Sequence, residues 1–214
     1  MPIKTEVGIW LRDNGFTNLC FISYAHIGET EMTEFARRLQ TGILDELKYQ
    51  VDEPRVFLDQ KHIPPGNIWP QDLRDNLSRS IAMVAVLSQV YFSPTHSWCG
   101  KEWAAMDRLG TARLPRQSAQ PIIPILFRET PLPPAAQCIK HLNLSRNQIT
   151  GRRYYTTREF KQAIRDIVGK IETIAELMFA NRCRVLIDGF QWPDSSAFAD
   201  YVAPAPVTPF RGRS

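Results

Sequence analysis

The segment "SPTHSWCGKEW", residues 93–103, sets Glu102 beside Trp103 and four positions after Trp98. A carboxyl group among indoles is partly withheld from water. In that position it can meet a ligand hydroxyl while water is partly excluded. In a helix, Trp98, Glu102 and Met106 fall in one row, with Cys99, Trp103 and Met106 as the neighbouring stripe. The stripe reads as the core side, so Glu102 is expected at the border between core and cleft.

Other groups able to meet a small molecule stand at the ends of apolar runs. Ser23, Tyr24, Ala25 and His26 end the first, Asp59 ends the second, and Ser88 ends the third. Trp69 follows a loop built on Pro64, Pro65 and Gly66. Each has an ordinary structural role as well: a solvated glutamate, a loop-capping aspartate, a core tyrosine, a structural histidine, an anchoring tryptophan.

The positions of these groups depend on the elements that carry them. "NLCFISYAH" (18–26), "RVFLDQ" (55–60), "IAMVAVLS" (81–88) and "QPIIPILFRE" (120–129) read as buried strands, the third without alternation, as in a parallel strand covered on both faces. Between them, Met32, Phe35, Ala36, Leu39, Ile43, Leu44 and Leu47 recur at helical spacing, as do Phe160, Ile164, Ile167, Val168, Ile171 and Ile174 near the end. "PQDLRDNLSRS" is a short helix opened by Pro70, and Ser97 to Leu109 is another. "CIKHLNLSR" (138–146) supplies a short fifth strand. Strand–helix alternation implies an α/β sandwich with right-handed crossovers and a mainly parallel sheet. In such a sheet ligands sit at the carboxyl ends of the strands, the edge to which Ser23, Tyr24, Asp59 and the approach to Glu102 belong. Residues 1–15 read as a leader, 16–178 as the domain, and 179–214, Pro- and Ser-rich, as a tail or a linker to another domain.

Several chemistries lack support. No Gly-rich phosphate loop and no nucleophile elbow occurs. His26, His62, His96 and His141 and the four scattered cysteines show no metal-ligand spacing, so no metal is expected. The formal net charge of +4 carries no lysine-rich block, and the basic stretch around "TGRRYY" reads as a solvated helix face, so no direct nucleic-acid binding is expected. No apolar run is long enough to span a bilayer and the cysteines form no disulfide pattern, which makes the cytoplasm the expected location, without membrane contact.

"FISYAH", "VFLDQKHIPPGNIWPQDLRDNLSRS" and "AVLSQVYFSPTHSWCGKEW", in this order and spacing, resemble the Toll/interleukin-1 receptor (TIR) domain, most of all its bacterial NAD-cleaving type. The resemblance spans roughly residues 16–178. It implies a flavodoxin-like sheet of about five strands in the order 2-1-3-4-5, with helices on both faces. It also implies NAD glycohydrolase activity, with NAD as substrate and no separate cofactor, releasing nicotinamide and ADP-ribose or a cyclised ADP-ribose. By resemblance Glu102 is the catalytic residue. Ser23, Tyr24, His26, Asp59, Trp69, Trp98 and Cys99 then line the substrate, with Tyr24 and Trp69 stacking on it and Ser23 and Asp59 orienting it. Family members often carry a basic residue just after the first-strand tyrosine; here that place reads Ala25-His26. Pro64, Pro65 and Gly66 match the loop through which such domains stack head to tail. Homo-oligomerisation, an activator or C-terminal partner domain, and a role as an effector in antiviral defence are the matching expectations. The family also contains non-enzymatic scaffolds and virulence proteins that mimic host signalling, which form the alternative.

Overall fold

The strands form because their side chains leave water from both faces at once. In Asn18–Tyr24 (β1) and Ser80–Leu87 (β3) every residue is buried, and so is every residue of Ile122–Leu126 (β4). Such strands need a helical layer on each side, which is the condition of a parallel α/β sheet. The computed structural model describes residues 3–26, 31–59, 69–93, 97–114, 119–145, 154–185 and 190–193. Val56–Leu58 (β2) and Leu142–Asn143 (β5) are the short edges, and the five strands run parallel in the order β2-β1-β3-β4-β5. This is the expected flavodoxin-like order. Strand order reverses between β1 and β3, where Ser23 pairs with Ala85 and Tyr24 with Val86. The sheet's crevice therefore opens beside Ser23 and Tyr24.

Pro124 sits inside β4 without a conflict. The Phe127 N–H donates to Leu87 O on β3, so by the two-residue strand period the Pro124 nitrogen faces away from β3. On that other side β5 begins pairing only at Ile125, and no ladder bond is lost.

Glu31–Leu47 (α2) and Arg158–Ala180 (α6) cover one face, each through its apolar stripe. Trp69–Ser78 (α3) and Ser97–Arg113 (α4) pack together and against the strands. Gly110 lets α4 approach β4, because a Cβ there would lie 2.6 Å from Pro121 Cδ. Arg113 closes α4 by donating from Nη1 to Ser80 O at 3.0 Å and from Nη2 to Ser78 O, which ties the helix end to the start of β3. Burial holds its guanidinium down at about 10.

The strand spans are shorter than the apolar runs suggest, since carboxyl-end residues such as Ala25 and Ser88 leave the ladder while remaining buried. Pro134–Gln137 (α5) and a 3₁₀ turn at Tyr154–Thr156 add small elements that the sequence pattern does not announce. Thr5–Asp13 (α1) is a helix within the segment read as a leader. It ends in a C-terminal cap in which Gly15, at φ 86°, donates to Arg12 O while Phe16 N donates to Leu11 O. Trp10 of α1 packs edge-on against Phe179 of α6, with ring centres 5.5 Å apart. Beyond α6, Cys183 Sγ donates to Arg113 O at 2.7 Å and Val185 N to Asn14 O at 3.4 Å, so the start of the segment read as a tail packs on the domain. Among the described residues no helix is long and apolar enough to cross a membrane.

Candidate active site

Alternation along β1 sends Ser23 and Tyr24 to opposite faces of the sheet. Ser23, fully buried, reaches α4 and donates from Oγ to Glu102 Oε2 at 2.5 Å. Tyr24 meets Thr33 of α2 on the other face. The turn after β3 adds Tyr91, whose hydroxyl lies 2.7 Å from Ser23 Oγ. With the serine proton directed at the carboxylate, Tyr91 is the donor of that pair, and the chain runs Tyr91 to Ser23 to Glu102.

Tyr91 is held by edge-on contacts to Phe92 at 4.9 Å and Trp103 at 6.4 Å. Sequence reasoning passed over this tyrosine. The available signal was its place in "SQVYF", as the first polar aromatic group beyond the central strand.

Glu102 lies deeper than the expected border position, at 2 % exposure, because Met106 and Trp103 on its helix are also buried. Removal from water pushes its carboxyl up to about 8, the charge of Asp59 adds to the rise, and the Ser23 hydrogen bond opposes it. At neutral pH the resting group is therefore mostly protonated. Burial and the Glu102 charge also push the Cys99 thiol well above its usual range, so Cys99 is an inert, packed neighbour rather than a nucleophile. Tyr91 is driven well up by burial, and Tyr24 is raised by burial and then by Asp59.

Asp59, at the end of β2, is nearly buried and bonds His26 Nε2 at 2.9 Å. The His26 ring lies 4.3 Å from the Tyr24 ring. The carboxyl edge thus carries two groups, Tyr91–Ser23–Glu102 with Cys99 beside it and Tyr24–His26–Asp59, which are joined by the charge of Asp59 acting on Glu102 and Cys99.

Trp98 is half-buried, and its described ring contacts lead elsewhere. Lys101 Nζ sits 4.7 Å over the ring, and Trp192 meets it edge-on at 5.3 Å, with Phe190 behind Trp192 at 5.6 Å. The Trp69 side chain and the loop residues Pro64, Pro65 and Gly66 lie outside the described residues. Among the described residues no group of three His, Cys, Asp or Glu side chains is placed to hold a metal ion.

Chemically, the cluster offers one buried acid with a raised proton affinity, a hydroxyl relay to orient it, and a tyrosine–histidine–aspartate wall. A cation placed against Glu102 would restore its ionised form, and a sugar hydroxyl could bond to it.

Comparison with known proteins adds three findings. None of the curated proteins matches the chain. Among solved structures, the TIR domain of the Toll-related receptor TRR-2 from Hydra magnipapillata is similar at 21% identity, over 70% of this chain and 99% of that one, with a TM-score of 0.44. The TIR domains in a structure of the activated Roq1 resistosome directly recognizing the pathogen effector XopQ are similar at 17% identity, over 84% of this chain and 94% of that one, with a TM-score of 0.38. The TIR domain profile matches residues 20–168, from β1 into α6, which takes in every strand and the Ser23–Glu102 pair, and the chain belongs to the TIR domain family.

Proposed function

We propose that the protein is an NAD glycohydrolase in which Glu102 is the catalytic carboxyl group. The observation that carries this reading is the buried Glu102 bonded to Ser23 at the point where strand order reverses. A buried acid with a raised proton affinity at a sheet's ligand edge is a mark of function rather than of solvation. In the reaction the bond between ribose C1′ and the nicotinamide nitrogen breaks, and both electrons pass to the cationic ring, which leaves neutral. The sugar is left oxocarbenium-like, and an ionised Glu102 held by Ser23 stabilises that charge and fixes the ribose hydroxyls. Water then adds to C1′ and releases a proton to give ADP-ribose, while attack by a nucleophile within the molecule gives the cyclised product. A leaving group that departs neutral requires neither a metal nor strong acid assistance.

Tyr24, with the His26–Asp59 pair behind it, walls the substrate, and the resemblance gives Trp69 a stacking role beside it. The protein acts in the cytoplasm as an effector of antiviral defence, switched on by TIR–TIR assembly or by a partner domain.

A second reading draws on the depth of Glu102. An acid this enclosed and bonded to Ser23 also suits a non-enzymatic scaffold or signalling mimic in which Glu102 only braces β1 against α4.

The deciding experiment is NAD consumption at high protein concentration beside Glu102→Ala, with products separated by chromatography. Nicotinamide release by the native protein and none by a folded mutant is expected. Equal turnover by the mutant would remove Glu102 from its role, and no turnover together with no NAD binding would favour the scaffold.

A further inference from the structure

A cavity of about 380 Å³ lies at the carboxyl ends of β3 and β4, against the start of α2. Its walls combine three chemistries. Met32, Val90 and Phe127 supply an apolar face; Ser88 supplies a hydroxyl; Glu31 and Arg128 supply opposite charges at the rim. The volume is that of a small-molecule site, within the usual range of about 300–1,000 Å³.

Ser88 is the informative residue. It is 5 % exposed, and among the described residues its Oγ has no hydrogen-bond partner. A buried hydroxyl is rarely left so, since it forgoes the bonds it had in water. With the Ser88 side chain turned to its rotamer toward the cavity, a ligand atom would complete it. Arg128 Nη2 donates to Glu31 Oε2 at 2.8 Å with both side chains about half exposed, so the pair can part at small cost. The guanidinium also sits 5.4 Å over the Phe127 ring. Freed, Arg128 and the positive amino end of α2 suit a phosphate, while Glu31 suits a sugar diol.

We propose that this cavity is a binding site for a nucleoside 5′-phosphate group. Its base lies against Met32, Val90 and Phe127 with a ring or exocyclic atom bonded to Ser88, its ribose faces Glu31, and its phosphate faces Arg128. A purely apolar ligand would leave Ser88 unsatisfied, and a bare anion would leave the apolar wall unfilled. The site has a route to the acid, because the turn that lines it with Ser88 and Val90 continues into Tyr91, the donor to Ser23. The Tyr91 N–H donates to Ser88 O at 3.1 Å, so a ligand gripping Ser88 braces the turn that holds Tyr91.

The group has two sources, a free mononucleotide or the adenylate half of NAD. The test uses the Glu102→Gln chain, which separates binding from turnover: failure of the proposed cleavage leaves this site standing, and failure of this site leaves the cleavage standing. AMP is titrated by calorimetry against that chain and against added Val90→Trp, which fills the cavity, or Arg128→Glu, which reverses the rim charge. Binding is expected, with loss in Val90→Trp and weakening of about tenfold or more in Arg128→Glu. Circular dichroism checks that both variants fold. Displacement of AMP by NAD from the Glu102→Gln chain, with NAD's own binding heat weakened by added Val90→Trp, identifies the dinucleotide as the source, whereas AMP binding untouched by NAD identifies a free mononucleotide. No heat with AMP up to about 5 mM, or equal binding by folded Val90→Trp and Arg128→Glu chains, overturns the proposal.

Discussion

Replacing Glu102 with Gln should make the folded protein more stable at alkaline pH, although it deletes the proposed catalytic group. In the folded state the Glu102 carboxyl titrates at about 8, against an ordinary 4.5 for the unfolded chain. Between these values the folded protein keeps a proton that the unfolded chain has released. The stability tied to this group is therefore complete below about pH 4.5 and is lost as pH rises toward 8. The slope is about 1.4 kcal/mol per pH unit, and the full loss is about 5 kcal/mol. Gln has the same shape and can accept from Ser23, but it never ionises. The gap between the two proteins should thus widen in favour of Gln from about pH 5 to about 8 and then level off. Urea denaturation at each pH measures it, with unchanged m-values showing that the unfolding reaction is the same. Taking the difference between the two proteins cancels the titration of every other group that keeps its surroundings. Parallel stability curves would refute the reasoning. They would show that Glu102 ionises normally in the folded protein, and hence that it is wetter than its 2 % exposure indicates.

Ser23→Ala removes the bond that favours the ionised Glu102, so the rising limb of any NAD turnover should move further up in pH; an unmoved midpoint would separate Ser23 from the acid. Gly110→Ala drives a methyl into Pro121 Cδ and should cost about 1–3 kcal/mol in urea denaturation; a neutral result would mean that α4 shifts freely on β4. Trp192→Ala takes away the edge-on partner of Trp98 and should cost about 0.5–1.5 kcal/mol, with a red shift of tryptophan fluorescence as Trp98 meets water. Absence of both effects would mean that residues 190–193 leave Trp98 uncovered in solution.

What the sequence made legible followed from strong periodicity. The unbroken apolar run of β3 announced a strand covered on both faces, and the stripes of α2 and α6 announced the helices that cover one of them. That Ser23, Tyr24 and Asp59 stand at one edge of the sheet was legible because strand ends in a parallel sheet share one edge, whereas the Ser23–Glu102 and His26–Asp59 bonds were not. The features that escaped depend on partners distant in sequence. α1 shows only Val7 and Leu11 buried, too few to signal a helix without α6 beside it. Tyr91 reaches the site through a contact 68 residues away. Trp192 stands in a stretch without periodicity, and its role rests on Trp98, which no local pattern connects to it. The depth of Glu102 escaped because spacing fixes a row along the helix and not how far the next layer closes over it.

That depth bears on how the proposed reaction would be controlled. A carboxyl at about 8 is mostly neutral at neutral pH, and a neutral acid cannot stabilise an oxocarbenium ion. The reactive form has to be created when the site fills. The cationic nicotinamide ring of NAD can do this, since an opposite charge a few ångströms away lowers a carboxyl's proton affinity. The reduced dinucleotide carries no such charge and would leave Glu102 protonated. Discrimination between the two forms would then arise from the acid itself, before any contact with the ring edge. The pH profiles can test this directly: the midpoint of the rising limb for kcat, which reports the loaded site, should lie below that for kcat/KM, which reports the empty one. Equal midpoints would mean that the substrate's charge never reaches Glu102, and the carboxyl would then have to be ionised by a rearrangement of the protein, as stacking of a second domain against this edge would provide.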